Sequence, residues 1–329
     1  MSPTIVGPPR QGADGRWRIT RHADVNTALR HPALAVGPRA LERKGVDTGS
    51  LVDLRRRQVI NLNGPEHVRI RRIIERAFLP RAVKRLREQI DERSETLVRG
   101  LPESQPFDFV DRVAFRLPII VMADMLGLDD DIETIRILSS ALVRTFDPAL
   151  DHAGLQAAAD AASSFSALLG RGVHMRRASS REDFLSDLVQ SANAEGIDDE
   201  DVIANAVLLV TAGFETTMGL IANATWLLVR NPAARDTVIK DSDLVTKAIE
   251  ETLRLESPIS SIARFTRAKV ISGGVEIDTD QDLIIDLASA NRDPAVFHEP
   301  DQFSLIRQAN PHVAFGGGAH FASVPRLDE

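Results

Sequence analysis

The sequence of 329 residues contains no cysteine. This absence excludes a disulfide, a cysteine nucleophile and every metal site that needs a thiolate ligand, whether zinc, an iron–sulfur cluster or haem iron. A chain without cysteine suits a reducing compartment. Its polar start, rich in proline and glycine, does not have the pattern of a signal peptide. We therefore expect a cytoplasmic protein.

Positive charge is also in short supply, because 40 Lys and Arg residues stand against 47 Asp and Glu residues, for a net charge of −7. This balance predicts no general attraction to nucleic acid or to an anionic membrane. The longest apolar runs, LPIIVMADMLGL and NAVLLVTAG, fall short of the roughly 20 residues that a membrane helix needs. We expect a globular protein with neither a nucleic acid nor a membrane as its partner.

Apolar residues recur with helical spacing over most of the chain, and prolines end several of these segments. After the last such segment the pattern changes to short apolar runs separated by Gly273-Gly274 and Asp280-Gln281. The sequence therefore predicts a mostly α protein with a small β portion late in the chain. The predicted helices cover 21–31, 66–78, 81–101, 108–126, 155–177, 182–194, 198–229 and 243–255, and the predicted strands cover 269–271, 275–277 and 283–288.

Three of the predicted helices carry polar residues in distinctive patterns. The longest one contains Ala212–Thr217 (AGFETT), in which a glycine precedes an acid–alcohol pair. A glycine inside a helix costs about 1 kcal/mol relative to alanine, so it indicates either close helix packing or a local opening of the helix. On the other two helices, the pairs Glu251/Arg254 and His67/Arg71 are spaced to share a face.

Six segments of the sequence, in this order, resemble the cytochrome P450 family in its soluble bacterial form. They are TRHADVNTALRHP, GPEHVRIRRIIERAFLPRAV, TAGFETT, EETLRLESPI, ANRDPAVFHEPDQF and HVAFGGGAHF. The resemblance extends from about Trp17 to Phe321 and implies a single P450-like domain over residues 1–329. Because the family continues with a long helix and closing strands, it also implies a fold that lacks its C-terminal helix and strands and is truncated at both ends.

The resemblance implies a role for several residues and haem b as the cofactor of the family. Glu215 and Thr216 match the acid–alcohol pair that delivers protons to iron-bound dioxygen, and Glu251 and Arg254 match a buried structural ion pair. The remaining matches are contacts to the haem. They are the propionate partners His67, Arg71, Arg264 and His320, and the residues Phe315, Gly316 and Gly318 of a glycine-rich loop.

Two positions depart from the family pattern. Ala322 stands where the family has the cysteine that ligates the iron, and a methyl group cannot bind a metal. Gln302 stands where the family usually has an arginine that completes the buried ion pair. His320 could ligate iron only with the loss of a propionate contact. We therefore expect no metal ligand and no bound cofactor. If the family function persists, we instead expect haem b as the cofactor.

These departures leave four functions open. The resemblance includes cysteine-less members that assist glycosyltransferases in secondary metabolism, so one function is that of an auxiliary protein. Another interpretation is an inactivated remnant of a monooxygenase, which a one-base deletion in the cysteine codon would explain. The alternatives are an active haem-dependent monooxygenase and a haem-free enzyme of natural-product biosynthesis. We favour the first two, with Glu215 and Thr216 vestigial. The expected partners are a protein such as a glycosyltransferase and a small dianionic ligand at the four cationic groups.

Overall fold

The computed structural model describes residues 6–42, 49–78, 80–128, 132–147 and 149–322, with the backbone alone at 80–83 and 85. Its helices are α1 (His22–Arg30), α2 (Arg39–Glu42), α3 (Gly49–Arg57), α4 (Gly64–Ala77), α5 (Pro80–Arg99), α6 (Arg116–Leu126), α7 (Ile132–Val143), α8 (His152–Ala178), α9 (Phe184–Glu195), α10 (Asp199–Arg230), α11 (Pro232–Lys240), α12 (Val245–Leu255) and α13 (Leu287–Ala290). Its strands are β1 (Arg10–Gln11), β2 (Trp17–Ile19), β3 (Leu34–Ala35), β4 (Ser261–Thr266), β5 (Val270–Ser272), β6 (Val275–Ile277) and β7 (Asp282–Asp286). The predicted fold class, mostly α with a small β portion, is confirmed.

The structure separates into two compact units. The first, which we call the sheet unit, comprises the described parts of residues 1–36 and 219–324. The second, the helical unit, comprises the described part of residues 37–218. The single domain expected from the sequence stays a prediction.

A five-stranded sheet in the order β1-β2-β7-β4-β3 organises the sheet unit. The central strand β7 pairs in parallel with β2, with Trp17 opposite Leu283, and antiparallel with β4, with Arg264 opposite Leu283. Its Leu283 and Ile285 are fully buried in a cluster that also contains Val25 and Leu29 of α1. The sequence pattern predicted β7 but not β4, because β4 exposes alternate residues and carries only two large apolar side chains.

The β5–β6 hairpin follows from its turn residues. Gly273 and Gly274 both have positive φ angles, +54° and +81°, which a two-residue hairpin turn requires and which residues with a Cβ adopt only with strain. The predicted strands 269–271 and 275–277 are confirmed within one residue.

Helix α1 receives its N-terminal cap from a distant part of the chain. Its own N-cap residue, Arg21, makes no capping hydrogen bond. Instead the Oδ2 atom of Asp293 accepts a hydrogen bond of 2.9 Å from the backbone N–H of His22. Asp293 lies in the segment that follows α13 and is buried. This contact fastens α1 to the irregular segment that leads towards the glycine-rich loop.

Local capping explains why the helices of the helical unit begin and end where they do. Asp151 and Asp183 accept hydrogen bonds from backbone N–H groups at the starts of α8 and α9. Gly127 and Gly196 end α6 and α9 in the left-handed conformation. The predicted helix over 108–126 is one turn of π-helix, Val110–Phe115, followed by α6.

Helix α10 matches the predicted helix 198–229 within one residue and is apolar over much of its length. It has 32 residues, and one window has a mean hydropathy of 1.4, so its length and composition alone would allow it to cross a membrane. Half of that window is buried, and core helices of globular proteins meet the same criterion, so this is weak evidence for a membrane helix.

Candidate active site and its structural support

The acid–alcohol segment lies in an uninterrupted stretch of α10. Gly213 faces Met122 of α6 so closely that a Cβ atom would lie 2.7 Å from the Met122 Sδ atom. Beside it, the buried Phe214 packs edge-on against Phe115 with ring centroids 5.2 Å apart. Of the two interpretations left open, helix packing therefore accounts for the glycine.

The carboxyl and hydroxyl groups of this segment differ in their surroundings. Burial raises the pKa of Glu215, which is partly shielded from solvent. The hydroxyl of Thr216 donates a hydrogen bond of 2.7 Å to the carbonyl oxygen of Ala212, one turn earlier in the same helix. The pair is thus a carboxyl group whose pKa is raised by burial beside a hydroxyl group that is bound to the backbone.

His67 and Arg71 lie on one face of α4, as their spacing predicted. His67 is buried, and this burial is the main cause that lowers its pKa, with a smaller contribution from the charge of Arg71. The Nε atom of Arg71 lies 2.7 Å from the Oε1 atom of Glu75. The imidazole therefore favours its neutral form, and the guanidinium group has a carboxylate partner on its own helix.

Glu251 and Arg254 form a buried ion pair in the sheet unit, with both side chains at most 1% exposed. The Nε and Nη2 atoms of Arg254 donate to the two carboxylate oxygens of Glu251 at 2.9 and 2.8 Å. Arg254 also donates to three backbone carbonyl oxygens, those of Asn291, Pro300 and Gln302. Five hydrogen bonds are what a guanidinium group can donate, so this buried cation is fully satisfied.

A second arginine, Arg307, completes this pair although position 302 is a glutamine. The Nε atom of Arg307 lies 3.1 Å from the Oε2 atom of Glu251, and its Nη1 atom donates to the carbonyl oxygen of His298. Gln302 takes part through its backbone carbonyl, which needs no particular side chain. The sequence analysis missed Arg307, because no local pattern distinguishes it from a surface charge, although it is the only Lys or Arg between Asp293 and Phe315.

Backbone contacts hold the glycine-rich loop. Gly316 and Gly318 have φ angles of +71° and +68°. A Cβ atom on Gly318 would lie 2.5 Å from the carbonyl oxygen of Leu29 in α1, so the loop lies directly on that helix. At the end of the loop, the N–H group of Ala322 donates to the carbonyl oxygen of Phe315 at 3.0 Å. The loop is therefore closed by its own backbone and requires nothing from the side chain at position 322.

Arg264 is the arginine of the described sheet unit whose pKa is lowered by burial. It lies on β4 and is partly buried, and this burial lowers its pKa to about 10. Its one hydrogen bond within the described ranges goes to the neighbouring carbonyl oxygen of Ala263, at 2.8 Å. The site thus contains a cation without a carboxylate partner among the residues that the structure describes.

The predicted site residues fall into two groups. Glu251, Arg254, Arg264, His320 and the loop belong to the sheet unit. His67, Arg71, Glu215 and Thr216 belong to the helical unit. The proposed cluster of four propionate contacts draws on both units and stays a prediction.

The residues present do not fit a haem with a thiolate ligand. The loop that would supply the iron ligand is folded, but it carries a methyl group at Ala322, and the sequence has no cysteine that could replace it. Arg264 would fit a carboxylate of such a group, because it is a cation without an acidic partner in the described part of the chain. The chain thus carries a cation suited to a carboxylate but no donor for the iron.

Comparison with known proteins identifies relatives of this arrangement. The family model described as Cytochrome P450 matches residues 169–325. Cytochrome P450 109 of Bacillus spizizenii is 32% identical over 320 residues, which cover 95% of this chain and 76% of that protein. Vitamin D(3) 25-hydroxylase of Pseudonocardia autotrophica is 33% identical over 321 residues, which cover 95% of this chain and 77% of that protein.

A solved structure shares the fold. The crystal structure of P450BioI in complex with hexadec-9Z-enoic acid ligated acyl carrier protein superposes with a TM-score of 0.90 at 26% identity. The match covers 95% of this chain and 82% of that chain. Sequence and fold therefore point to the same family.

Proposed function

The chain belongs to the cytochrome P450 family, and from this premise we propose that it acts as an auxiliary protein that binds a protein partner and does not use a thiolate-ligated haem. The observation that carries the proposal is Ala322, which ends a loop whose backbone is otherwise complete. Electron donation by the thiolate favours O–O cleavage in this family. A member without it retains the scaffold and loses the group on which its oxidative chemistry depends.

The retained structure supports a role that needs a stable scaffold. Glu251, Arg254 and Arg307 form a network in which every buried charge is compensated. The resemblance to cysteine-less family members suggests a glycosyltransferase of secondary metabolism as the partner. In a separate case, the structural relative P450BioI forms a complex with an acyl carrier protein. A protein partner is thus consistent with how this fold is used elsewhere.

One observation favours a second candidate, a haem-dependent monooxygenase or its inactivated remnant. Glu215 and Thr216 retain the family residue types, and the Glu215 carboxyl is kept partly buried with a raised pKa. Relatives include the Steroid C26-monooxygenase of Mycolicibacterium smegmatis, which is 31% identical over 325 residues. An auxiliary protein has no need of this pair.

The haem content of the purified protein tests the proposal. We expect little haem after expression with a haem supply, and no red-shifted Soret band of thiolate ligation after reduction and addition of CO. Stoichiometric haem with that band would overturn the proposal. The variants Ala322→Cys and Ala322→Ser test whether residue 322 causes the absence of the red-shifted Soret band. If the band appears in the cysteine variant and not in the serine variant, the missing thiolate at position 322 is the cause.

Partner binding separates the auxiliary protein from the remnant. Glycosyltransferases encoded beside this gene would be co-expressed with the chain, and their activity and co-purification measured with and without it. We expect one of them to co-purify and to be more active in its presence. Neither binding nor activation would favour the remnant.

A further inference from the structure

Arg55 of α3 is buried, at 4% exposure, without an acidic partner among the residues that the structure describes. The other buried arginines of the described ranges each have a carboxylate partner. They are Arg176 with Asp183, Arg254 with Glu251 and Arg292 with Glu256. Burial of a cation is costly unless a negative charge compensates it. The charge of Arg55 is therefore an exception to the way in which this protein buries arginine.

The hydrogen bonds of Arg55 go to neutral acceptors. Its Nη1 atom donates to the Oε1 atom of Gln58 at 3.0 Å. Its Nη2 atom donates to the carbonyl oxygen of Leu142 at 2.9 Å and to the Oγ1 atom of Thr145 at 2.8 Å. Burial lowers the pKa of Arg55 to about 10, and no charged group of the described ranges contributes to this shift. Since a guanidinium group has five N–H donors, these three bonds do not exhaust its capacity.

Three elements of the helical unit hold this guanidinium group in place. Gln58 is fully buried and donates through its Nε2 atom to the carbonyl oxygen of Ala204 on α10, at 3.3 Å. Leu142 belongs to α7, and Thr145 to the short turn that follows α7. All of these residues lie within 37–218. The cation of α3 is thus fixed between α7 and the first turns of α10.

An exposed aromatic ring lies beside this cation. The centroid of the Phe146 ring is 4.8 Å from the Cζ atom of Arg55, and Phe146 is 66% exposed. The ring attracts the guanidinium group but does not neutralise its charge. Because most of the ring is accessible, it also offers apolar surface for packing. A desolvated cation and an accessible apolar surface therefore lie side by side.

We propose that Arg55 and Phe146 form a binding site for a carboxylic acid with an apolar body. The guanidinium group binds the carboxylate, and the ring of Phe146 packs against the apolar part. A carboxylate carries the single negative charge that one arginine compensates, whereas a phosphate group carries about 1.5 to 2 at neutral pH. The site includes no residue of the glycine-rich loop, so it depends neither on haem nor on a protein partner.

Two probes that differ only in charge test the site. Octanoate is ionised at neutral pH, and octanamide has the same apolar body and nearly the same shape without the charge. Isothermal titration calorimetry of the full chain would measure the affinity for each probe. We expect octanoate to bind about tenfold more tightly than octanamide, the order of preference that a hydrogen bond to a charged group gives. Equal affinities, or no binding of octanoate, would overturn the proposal.

Matched variants assign the preference to Arg55. Arg55→Gln removes the charge, so the affinity for octanoate should fall about tenfold, to the value for octanamide. Arg112→Gln removes the charge of an exposed arginine in the same unit and should bind both probes as the wild type does. If Arg55→Gln retained the preference for octanoate, the acid would bind elsewhere and the proposal would be wrong.

A measurement on the wild type locates the ligand without requiring any variant to fold. Hydrogen–deuterium exchange would be followed in peptides from residues 49–61 and 142–147, with peptides of α9 as the reference. Octanoate at ten times its dissociation constant should slow exchange in the two segments by up to about tenfold, because it blocks opening of the structure that binds it. Unchanged exchange in both segments while octanoate is bound would contradict the site.

Discussion

The ion network around Glu251 is buried and Glu215 is partly buried, but the charges at the two places have different surroundings. In the network, Glu251 receives two arginines and Arg254 reaches five acceptors. Burial raises the pKa of the Glu215 carboxyl, and no positive charge contributes to that shift. A compensated buried pair is costly to break, whereas an uncompensated buried charge is itself a cost in stability. The comparison separates a network whose charges are compensated from a carboxyl group that burial leaves uncompensated.

The network should show the largest effect on stability. Glu251→Gln keeps the shape of the side chain but leaves Arg254 buried without its carboxylate. We expect the free energy of unfolding to fall by about 3–5 kcal/mol, the loss typical of a broken buried pair. Urea unfolding measured by circular dichroism checks this value.

An exposed glutamate controls for the chemical change itself. Glu92→Gln on α5 removes the same charge at an exposed position, so its stability should stay within about 0.5 kcal/mol of the wild type. If the two variants lost equal stability, the compensated network would not be the scaffold element that the comparison requires.

A substitution in the glycine-rich loop should have an intermediate effect on stability, because the loop packs against α1. Gly318→Ala combines a positive φ angle with a Cβ atom placed 2.5 Å from the Leu29 carbonyl oxygen. Gly196→Ala has a similar φ angle of +64° and no atom within 4 Å of the added Cβ. We expect a loss of about 1 kcal/mol for Gly196→Ala and about 2–3 kcal/mol for Gly318→Ala.

The difference between these two variants measures the contact with α1 apart from the backbone strain. Thermal and urea unfolding would both be recorded, in the absence of haem. Equal losses of unfolding free energy in the two variants would mean that the loop does not rest on α1 in solution. The loop would then not be a scaffold element.

Local sequence patterns predicted those features that depend on neighbours in the chain. The spacing of Glu251 and Arg254 identified their pair, and prolines and glycines located most helix ends. The strand β7 was recognised because three successive apolar residues occupy its centre. These features follow from helical periodicity, turn residues and burial, which a single sequence displays.

Contacts between distant segments could not be predicted in this way. Arg307 reaches Glu251 across 56 residues, and Asp293 caps α1 across 271 residues. Neither partner has a local pattern that distinguishes it from a surface charge, because the topology alone brings the two groups together. The same holds for the parallel pairing of β2 with β7.

Substitution of Glu215 should change the free energy of unfolding least, and it tests whether the Glu215 carboxyl group is a remnant of chemistry. Because burial raises its folded-state pKa above the unfolded value, the native state binds the proton more tightly than the unfolded state does. The stabilisation that the tighter proton binding gives the native state is fully present below the unfolded-state pKa of Glu215. It is lost as the pH rises through the folded-state pKa.

At neutral pH the ionised Glu215 carboxylate opposes folding, so Glu215→Gln should stabilise the protein by up to about 1 kcal/mol, an amount limited by partial exposure. The gain should vanish below about pH 4, where the wild-type carboxyl is protonated in both states. Urea unfolding of the two proteins across this pH range measures the difference, with Glu92→Gln as the exposed control. A loss of stability at neutral pH would show that the Glu215 carboxylate has a structural partner, and that its charge is compensated as the charge of Glu251 is.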